Sequence, residues 1–223
     1  MALLMQDERE QIVEIGKQMS LSGLCPGTSG NQSICNRELG LMAIKPSGVG
    51  YLETTPEDVV IMDLEGHVVD GKRKPSSEWD MHTVFYLNKP NVTAVVHTHS
   101  EFCTTFACLG MPIEAVHYVI ADAHTNRIPC APYHTFGTPE LANDAIKYCG
   151  DSDAVLLANH GIIVSGTSLK GTFGLAKNLE FIAKLQYRAM CIGKPNILTE
   201  EEIAEVMESF KSYGQPASKK TGY

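Results

Sequence analysis

The stretch Val92-Thr93-Ala94-Val95-Val96, bounded in front by Asn88-Lys89-Pro90, constrains this chain most. A short, β-branched apolar run reads as a buried strand. It ends in His97-Thr98-His99. Side chains alternate along a strand, so His97 and His99 project to the same side. Two imidazoles at one strand end suit a zinc ion, held at ~2.0–2.1 Å. Spacing alone leaves open two unrelated histidines at a sheet edge, so further ligands must be sought.

A third histidine stands in an equivalent place. Asp153-Ala154-Val155-Leu156-Leu157-Ala158 reads as another buried strand, ending in Asn159-His160-Gly161, with Ile162-Ile163-Val164 returning beside it. Gly161 would allow a tight turn there. Three histidines leave positions open for water or substrate, the catalytic rather than the closed structural pattern.

Three loops of small residues accompany them: Pro26 to Ser33, Lys45-Pro46-Ser47-Gly48-Val49-Gly50, and Lys74-Pro75-Ser76-Ser77. Such loops can turn several N–H groups toward one anion, and they also make ordinary turns. Serine before a periodic segment predicts a helix opening near Lys74 and running to about Leu87, with Glu78 in its first turn. Glu78 and His82 share a face at i, i+4. That spacing fits a metal pair or, more simply, a surface hydrogen bond.

Elsewhere, Asp7–Leu24 predicts an amphipathic helix with Ile12, Ile15 and Met19 on one stripe. Leu41–Ile44, Val59–Met62 and His67–Val69 predict strands, with His67 exposed. Ser100 caps a short helix, and Ala115–Ile120 reads as an apolar run in which a strand would point His117 and Tyr118 to opposite faces. Ile128–Tyr133 reads as a loop or edge strand. Thr138-Pro139, Ser168 and Thr199-Glu200-Glu201-Glu202 open three further helices. Residues 1–215 form one catalytic domain in this reading, and 216–223 a loose polar tail.

The net charge of −8 argues against a nucleic-acid or anionic-membrane surface. Seven cysteines without a C-x-x-C read as reduced thiols of a cytoplasmic protein. No apolar run reaches membrane-spanning length. Lys45 is the one lysine beside a motif; it precedes a proline and shows no desolvating pocket in the sequence, which sets Schiff-base chemistry aside.

Gly27-Thr28-Ser29-Gly30-Asn31, Lys45-Pro46-Ser47-Gly48, Pro75-Ser76-Ser77-Glu78-Trp79, His97-Thr98-His99 and Asn159-His160-Gly161 follow the order found in zinc-dependent class II sugar-phosphate aldolases. The chain resembles that family from its first helix through Lys211-Ser212-Tyr213-Gly214. Ile128 to Thr138 is most similar to members acting on L-fuculose 1-phosphate.

The resemblance implies an α/β fold: a single three-layer domain with a mostly antiparallel sheet flanked by helices. It implies homotetramers with active sites at subunit interfaces. One zinc per subunit would be held by His97, His99 and His160, with Glu78 as a removable fourth ligand. Gly30, Asn31, Ser47, Gly48, Ser76 and Ser77 would bind phosphate; Ser47 replaces a common threonine and keeps the hydroxyl. Tyr118 from a neighbouring subunit and Tyr213 join Glu78 as catalytic groups. Thr28, Phe136 and Phe210 would shape the aldehyde side. The segment around Asp122, His124 and Arg127 is more charged than the resemblance implies.

The implied activity is reversible cleavage of L-fuculose 1-phosphate to dihydroxyacetone phosphate and L-lactaldehyde. Breaking C3–C4 of a 1-phospho-2-ketose leaves negative charge at C3, which a Lewis acid at the C2 carbonyl can take up. The alternatives within the fold are another ketose-phosphate aldolase, a pentulose-phosphate 4-epimerase and a methylthioribulose-phosphate dehydratase. An adducin-like interaction module is the alternative outside catalysis. Glu78 speaks against the epimerase, which carries aspartate there, and the retained histidines speak against the interaction module.

Overall fold

The first apolar stripe becomes α1 (Gln6–Leu21) in the computed structural model, which describes residues 3–212. Ile12, Ile15 and Met19 are all buried, and Gly23 takes a positive φ of 74° just beyond the helix end. There follow β1 (Asn31–Asn36), β2 (Leu41–Ile44), β3 (Val60–Asp63) and β4 (Val68–Asp70). Then come α2 (Trp79–Asn88), β5 (Ala94–Thr98), α3 (Glu101–Cys108), β6 (Ile113–Glu114) and a 3-10 helix (Tyr118–Ala123). The chain continues through β7 (Arg127–Ile128), β8 (Cys130–Ala131), α4 (Pro139–Cys149), β9 (Ala154–Leu157), β10 (Gly161–Gly166), α5 (Leu169–Ile192) and α6 (Glu200–Phe210).

One eight-stranded sheet runs β4-β3-β2-β1-β5-β10-β9-β8. Its pairs are antiparallel except β8 with β9. Alternation sorts the side chains into two cores, one on each face. Ala94 and Val96 pack with Ile12, Phe106 and Leu179 on the side of α1, α3 and α5. Val95 packs with Phe85 and Leu141 on the side of α2 and α4. This is the mostly antiparallel, helix-flanked α/β architecture expected. It also decides where the site lies: His97 follows Val95 by two residues and therefore faces α2.

Several local expectations change. The third small-residue loop does not start a helix at Lys74. Its backbone is already engaged with the second loop: Ser47 N donates to Lys74 O (2.9 Å) and Ser76 N to Lys45 O (3.0 Å). Helix α2 therefore begins at Trp79, with Glu78 at its N-cap position. Ser100 precedes α3 but makes no side-chain cap; the Glu180 carboxylate accepts from Phe102 N and Cys103 N instead, each at 2.9 Å. Residues 115–120 are not a strand. Bonds from Ile120 N to His117 O and from His124 N to Ala121 O wind them locally, and His117 stacks on Tyr118, ring centroids 4.8 Å apart.

The other signals held. Thr138, Ser168 and Thr199 each accept a bond from the first turn of their helix, and Thr199 with Glu202 closes the capping box. Residues 128–133 do supply the edge strand β8, and His67 is exposed. No described helix is long and apolar enough to cross a membrane. Residues 216–223, read as a tail, and Tyr213 lie outside the described residues.

Candidate active site and metal centre

The three histidines converge. His97 occupies β5 and His99 follows it, while Asn159 and His160 turn the chain from β9 into β10. The turn is made by Asn159, which takes φ 55°, a conformation asparagine tolerates. Gly161 is needed for a different reason than a positive φ: a Cβ there would lie 2.3 Å from Thr98 O. The three rings stand edge to face with centroids 4.8–4.9 Å apart. One ligand nitrogen from each lies within 4.8 Å of the others.

His97 Nδ1 donates to Ile162 O at 2.9 Å, which leaves the Nε2 lone pair aimed at the shared centre. Burial holds the His97 ring neutral, its pKa pushed down to about 3. Burial also lowers His99, with the neighbouring His160 adding to the shift. Nε2 of His97 and of His99 are 3.0 Å apart.

Glu78 completes the set. It is buried, with Oε2 3.5 Å from His97 Nε2 and Oε1 3.2 Å from His160 Nε2. Among the described residues, Oε1 nevertheless has no hydrogen-bond partner of acceptable geometry. Burial favours protonation of this carboxyl, but the imidazoles of His97 and His160 and the Asn31 amide outweigh it and hold its pKa below the usual carboxylate range. A buried ionised oxygen without a donor, beside three converging imidazole nitrogens, is a donor set that fits a divalent metal.

A cleft of about 420 Å³ opens over His99, His160 and Glu78, with His97 fully buried behind them. Thr28, Gly30 and Asn31 line one wall. Ser47 and Gly48 line the next, joined through the backbone bonds above to Ser76 and Ser77. Gly30 has φ 73°, and a Cβ there would meet Cys25 Sγ at 2.6 Å and His97 O at 2.8 Å. The first loop can therefore approach the strand bearing His97 only as glycine. Phe136 stands at the cleft, 65% exposed.

Tyr118 and Phe210 are elsewhere. They share a separate concavity of about 670 Å³ with Val119, Asn178 and Val206, their ring centroids 6.3 Å apart, and Tyr118 is 50% exposed. Within one chain they do not meet the histidines. The charged segment beside them is tied down locally. Asp122 accepts from Asn178, His124 pairs with Asp153 at 2.6 Å, and Arg127 lies 3.3 Å from Glu114.

Two expectations about this site are corrected. His82 makes neither a surface bond nor a metal pair with Glu78; it is fully buried and bonds to Asn31, which in turn donates to Glu78 Oε2 at 2.9 Å. Lys45 does have a desolvating pocket. It is 2% exposed, its Nζ lies 4.6 Å from the Tyr51 ring centroid, and burial lowers its pKa. Lys45 lines the cleft, as do Tyr133 and His134, the latter held by Asp144 at 2.8 Å. These were hidden in the sequence because Tyr51 and Asp144 become their neighbours only through folding.

A family model described as Class II Aldolase and Adducin N-terminal domain matches residues 10–187. The chain is 50% identical to a 5-deoxy-D-ribulose 1-phosphate aldolase of Bacillus thuringiensis serovar kurstaki, over 96% of this chain and 100% of that one. It is 42% identical to a 5-methylthioribulose-1-phosphate/5-deoxyribulose-1-phosphate aldolase of Rhodospirillum rubrum, over 94% and 93%. The solved structure of an L-fuculose 1-phosphate aldolase superposes with a TM-score of 0.91 at 40% identity, covering 94% of this chain and 98% of its own.

Proposed function

Because the chain belongs to the class II aldolase and adducin N-terminal domain family, we propose that it is a zinc-dependent aldolase. It cleaves C3–C4 of a 5-deoxypentulose 1-phosphate, giving dihydroxyacetone phosphate and acetaldehyde. The observation that carries this reading is the junction of the histidine centre and the anion loops in one cleft. The preference for 5-deoxyribulose 1-phosphate over the L-fuculose 1-phosphate expected above rests on the 50% identity across the full length of the Bacillus thuringiensis relative. The structural neighbour supports L-fuculose 1-phosphate as the second reading. Both ketoses share the phosphate-bearing half and differ only in the departing aldehyde.

Three nitrogens and one carboxylate oxygen match a tetrahedral zinc ligand set. When bound, zinc supplies a Lewis acid for the charge that develops at the C2 carbonyl. The protein's own residues do the rest. Gly30, Asn31, Ser47, Gly48, Ser76 and Ser77 hold the phosphate through N–H and O–H donors, with the Lys45 cation beside them. Anchoring C1 would hold C3 beside Glu78 and the three histidines. In synthesis the ionised Glu78 carboxylate takes the C3 proton as base; in cleavage the same carboxyl, having taken up a proton from solvent, returns it to C3 after C3–C4 breaks. The C4 hydroxyl must lose its proton as the aldehyde forms. Tyr118, presented by a second copy of the chain in a homotetramer, accepts it while passing its own hydroxyl proton to solvent; Phe210 shapes that side, and Tyr213 is the further catalytic group in this reading. The seven free cysteines suit the reducing cytoplasm.

The test is release of dihydroxyacetone phosphate from the two ketose phosphates. The proposal expects the higher kcat/KM for 5-deoxyribulose 1-phosphate. A clear preference for L-fuculose 1-phosphate would transfer the assignment to the second reading, and cleavage of neither would end the aldolase proposal.

A further inference from the structure

A polar chain runs from the cleft into the core behind Glu78. Asn31 and Ser33 alternate along β1 onto the face toward α2, where His82 and Tyr86 stand one helical turn apart. Asn31 Nδ2 donates to Glu78 Oε2 at 2.9 Å. Asn31 Oδ1 bonds to His82 Nε2. His82 Nδ1 is 2.7 Å from Ser33 Oγ, and Ser33 Oγ is 2.6 Å from the Tyr86 hydroxyl. His82, Ser33 and Tyr86 are each at most 1% exposed, so water does not substitute for any link.

Chemistry gives this chain one direction. An amide oxygen only accepts, so His82 Nε2 carries the ring hydrogen. Burial keeps the imidazole neutral, its pKa pushed down to about 4. Its Nδ1 is then a bare acceptor and Ser33 must donate to it. The Ser33 oxygen in turn accepts from the Tyr86 hydroxyl. Every hydrogen points toward Asn31.

The consequence falls on the Asn31 amide. Its oxygen is committed to His82, so its two N–H groups are turned the other way. One meets Glu78, and the other remains for the cleft that Asn31 lines. A flipped amide would set its oxygen against the Glu78 carboxylate and its nitrogen against the His82 N–H, losing both bonds.

We propose that His82 is a positioning residue: through Asn31 it locks one amide as a donor to two anions, the Glu78 carboxylate and the substrate phosphate. The Glu78 arm rests on the aldolase reading. The phosphate arm can be tested without it.

The experiment is a double-mutant cycle on the metal-loaded protein, read by kcat for C3–C4 cleavage and by calorimetric affinity for inorganic phosphate. His82→Leu removes the donor; it is expected to lower kcat about 10–100-fold and weaken phosphate about 10-fold with metal content unchanged. His82→Gln, whose side-chain amide can still donate to Asn31, recovers most of both. In an Asn31→Ala background, His82→Leu costs less than about twofold. Equal losses in both backgrounds, or a Gln variant as poor as Leu, would overturn the proposal. Should His82→Leu fail to fold, Ser33→Ala takes its place in the cycle, with losses of about 3–10-fold that require Asn31. If the wild-type protein cleaves neither ketose, the aldolase reading fails and the phosphate arm decides alone: phosphate affinity indifferent to His82 contradicts the proposal.

Discussion

Glu78 concentrates the chemistry because it is buried, ionised and short of one partner. Replacing it with glutamine keeps its shape and its bond to Asn31 within reach, so Glu78→Gln should fold normally. It removes the proton carrier, and turnover is expected to fall about 10²–10⁴-fold. Near-normal turnover in that variant would take Glu78 out of the mechanism. His82 carries a second prediction at this scale. Its folded pKa, about 4, lies below the ordinary histidine value near 6.5. The unfolded chain therefore binds the proton first as pH falls. Stability present above pH 6.5 is lost between 6.5 and about 4, by about 3 kcal/mol from this ring. The melting temperature of the metal-free protein should drop across that window, and His82→Gln should flatten the drop. An unchanged slope would mean that the ring is already protonated in the fold.

Residues differ in how plainly the sequence announces them. His97, His99 and His160 are legible because each terminates an apolar run whose period fixes its side. His82 and Lys45 are not. Their burial depends on Asn31, Ser33 and Tyr51, contacts made only after β1 and β2 pair and the loops close over them. A titratable side chain whose environment comes from distant segments leaves no local trace.

At the level of elements, the helix starts whose caps lie within their own first turn were readable: Thr138, Ser168 and Thr199. The misread ones have remote partners. Helix α3 is closed by Glu180 from α5, and α2 is delayed because Lys74–Ser76 bonds to the loop at Lys45–Ser47. Glu180→Ala should leave two first-turn N–H groups of α3 unpaired and cost about 1–3 kcal/mol in denaturant unfolding. A change below about 0.5 kcal/mol would show that water replaces the cap. The run 115–120 misled for a related reason: its β-like composition is satisfied by packing on α5 and α6 rather than by strand pairing.

For the whole molecule, the feature to test is the separation of residues assigned to one reaction. Tyr118 and Phe210 stand in a different concavity from the histidines. If a second copy brings Tyr118 to the cleft, Tyr118→Phe should impair turnover and spare the metal. Mixed refolding of Tyr118→Phe with Glu78→Gln should restore activity, since some interfaces then combine both intact residues. A mixture as inactive as its parents would contradict the sharing of Tyr118 between copies, and near-normal turnover of Tyr118→Phe alone would place it outside the reaction.

The most direct measurement follows dihydroxyacetone phosphate released from 5-deoxyribulose 1-phosphate before chelation, after it, and after zinc is returned. The account predicts that activity disappears with the metal and returns with it, and that His97→Ala, His99→Ala and His160→Ala each lose bound zinc and turnover together. Cleavage that survives complete metal removal, with borohydride trapping substrate on Lys45, would contradict it.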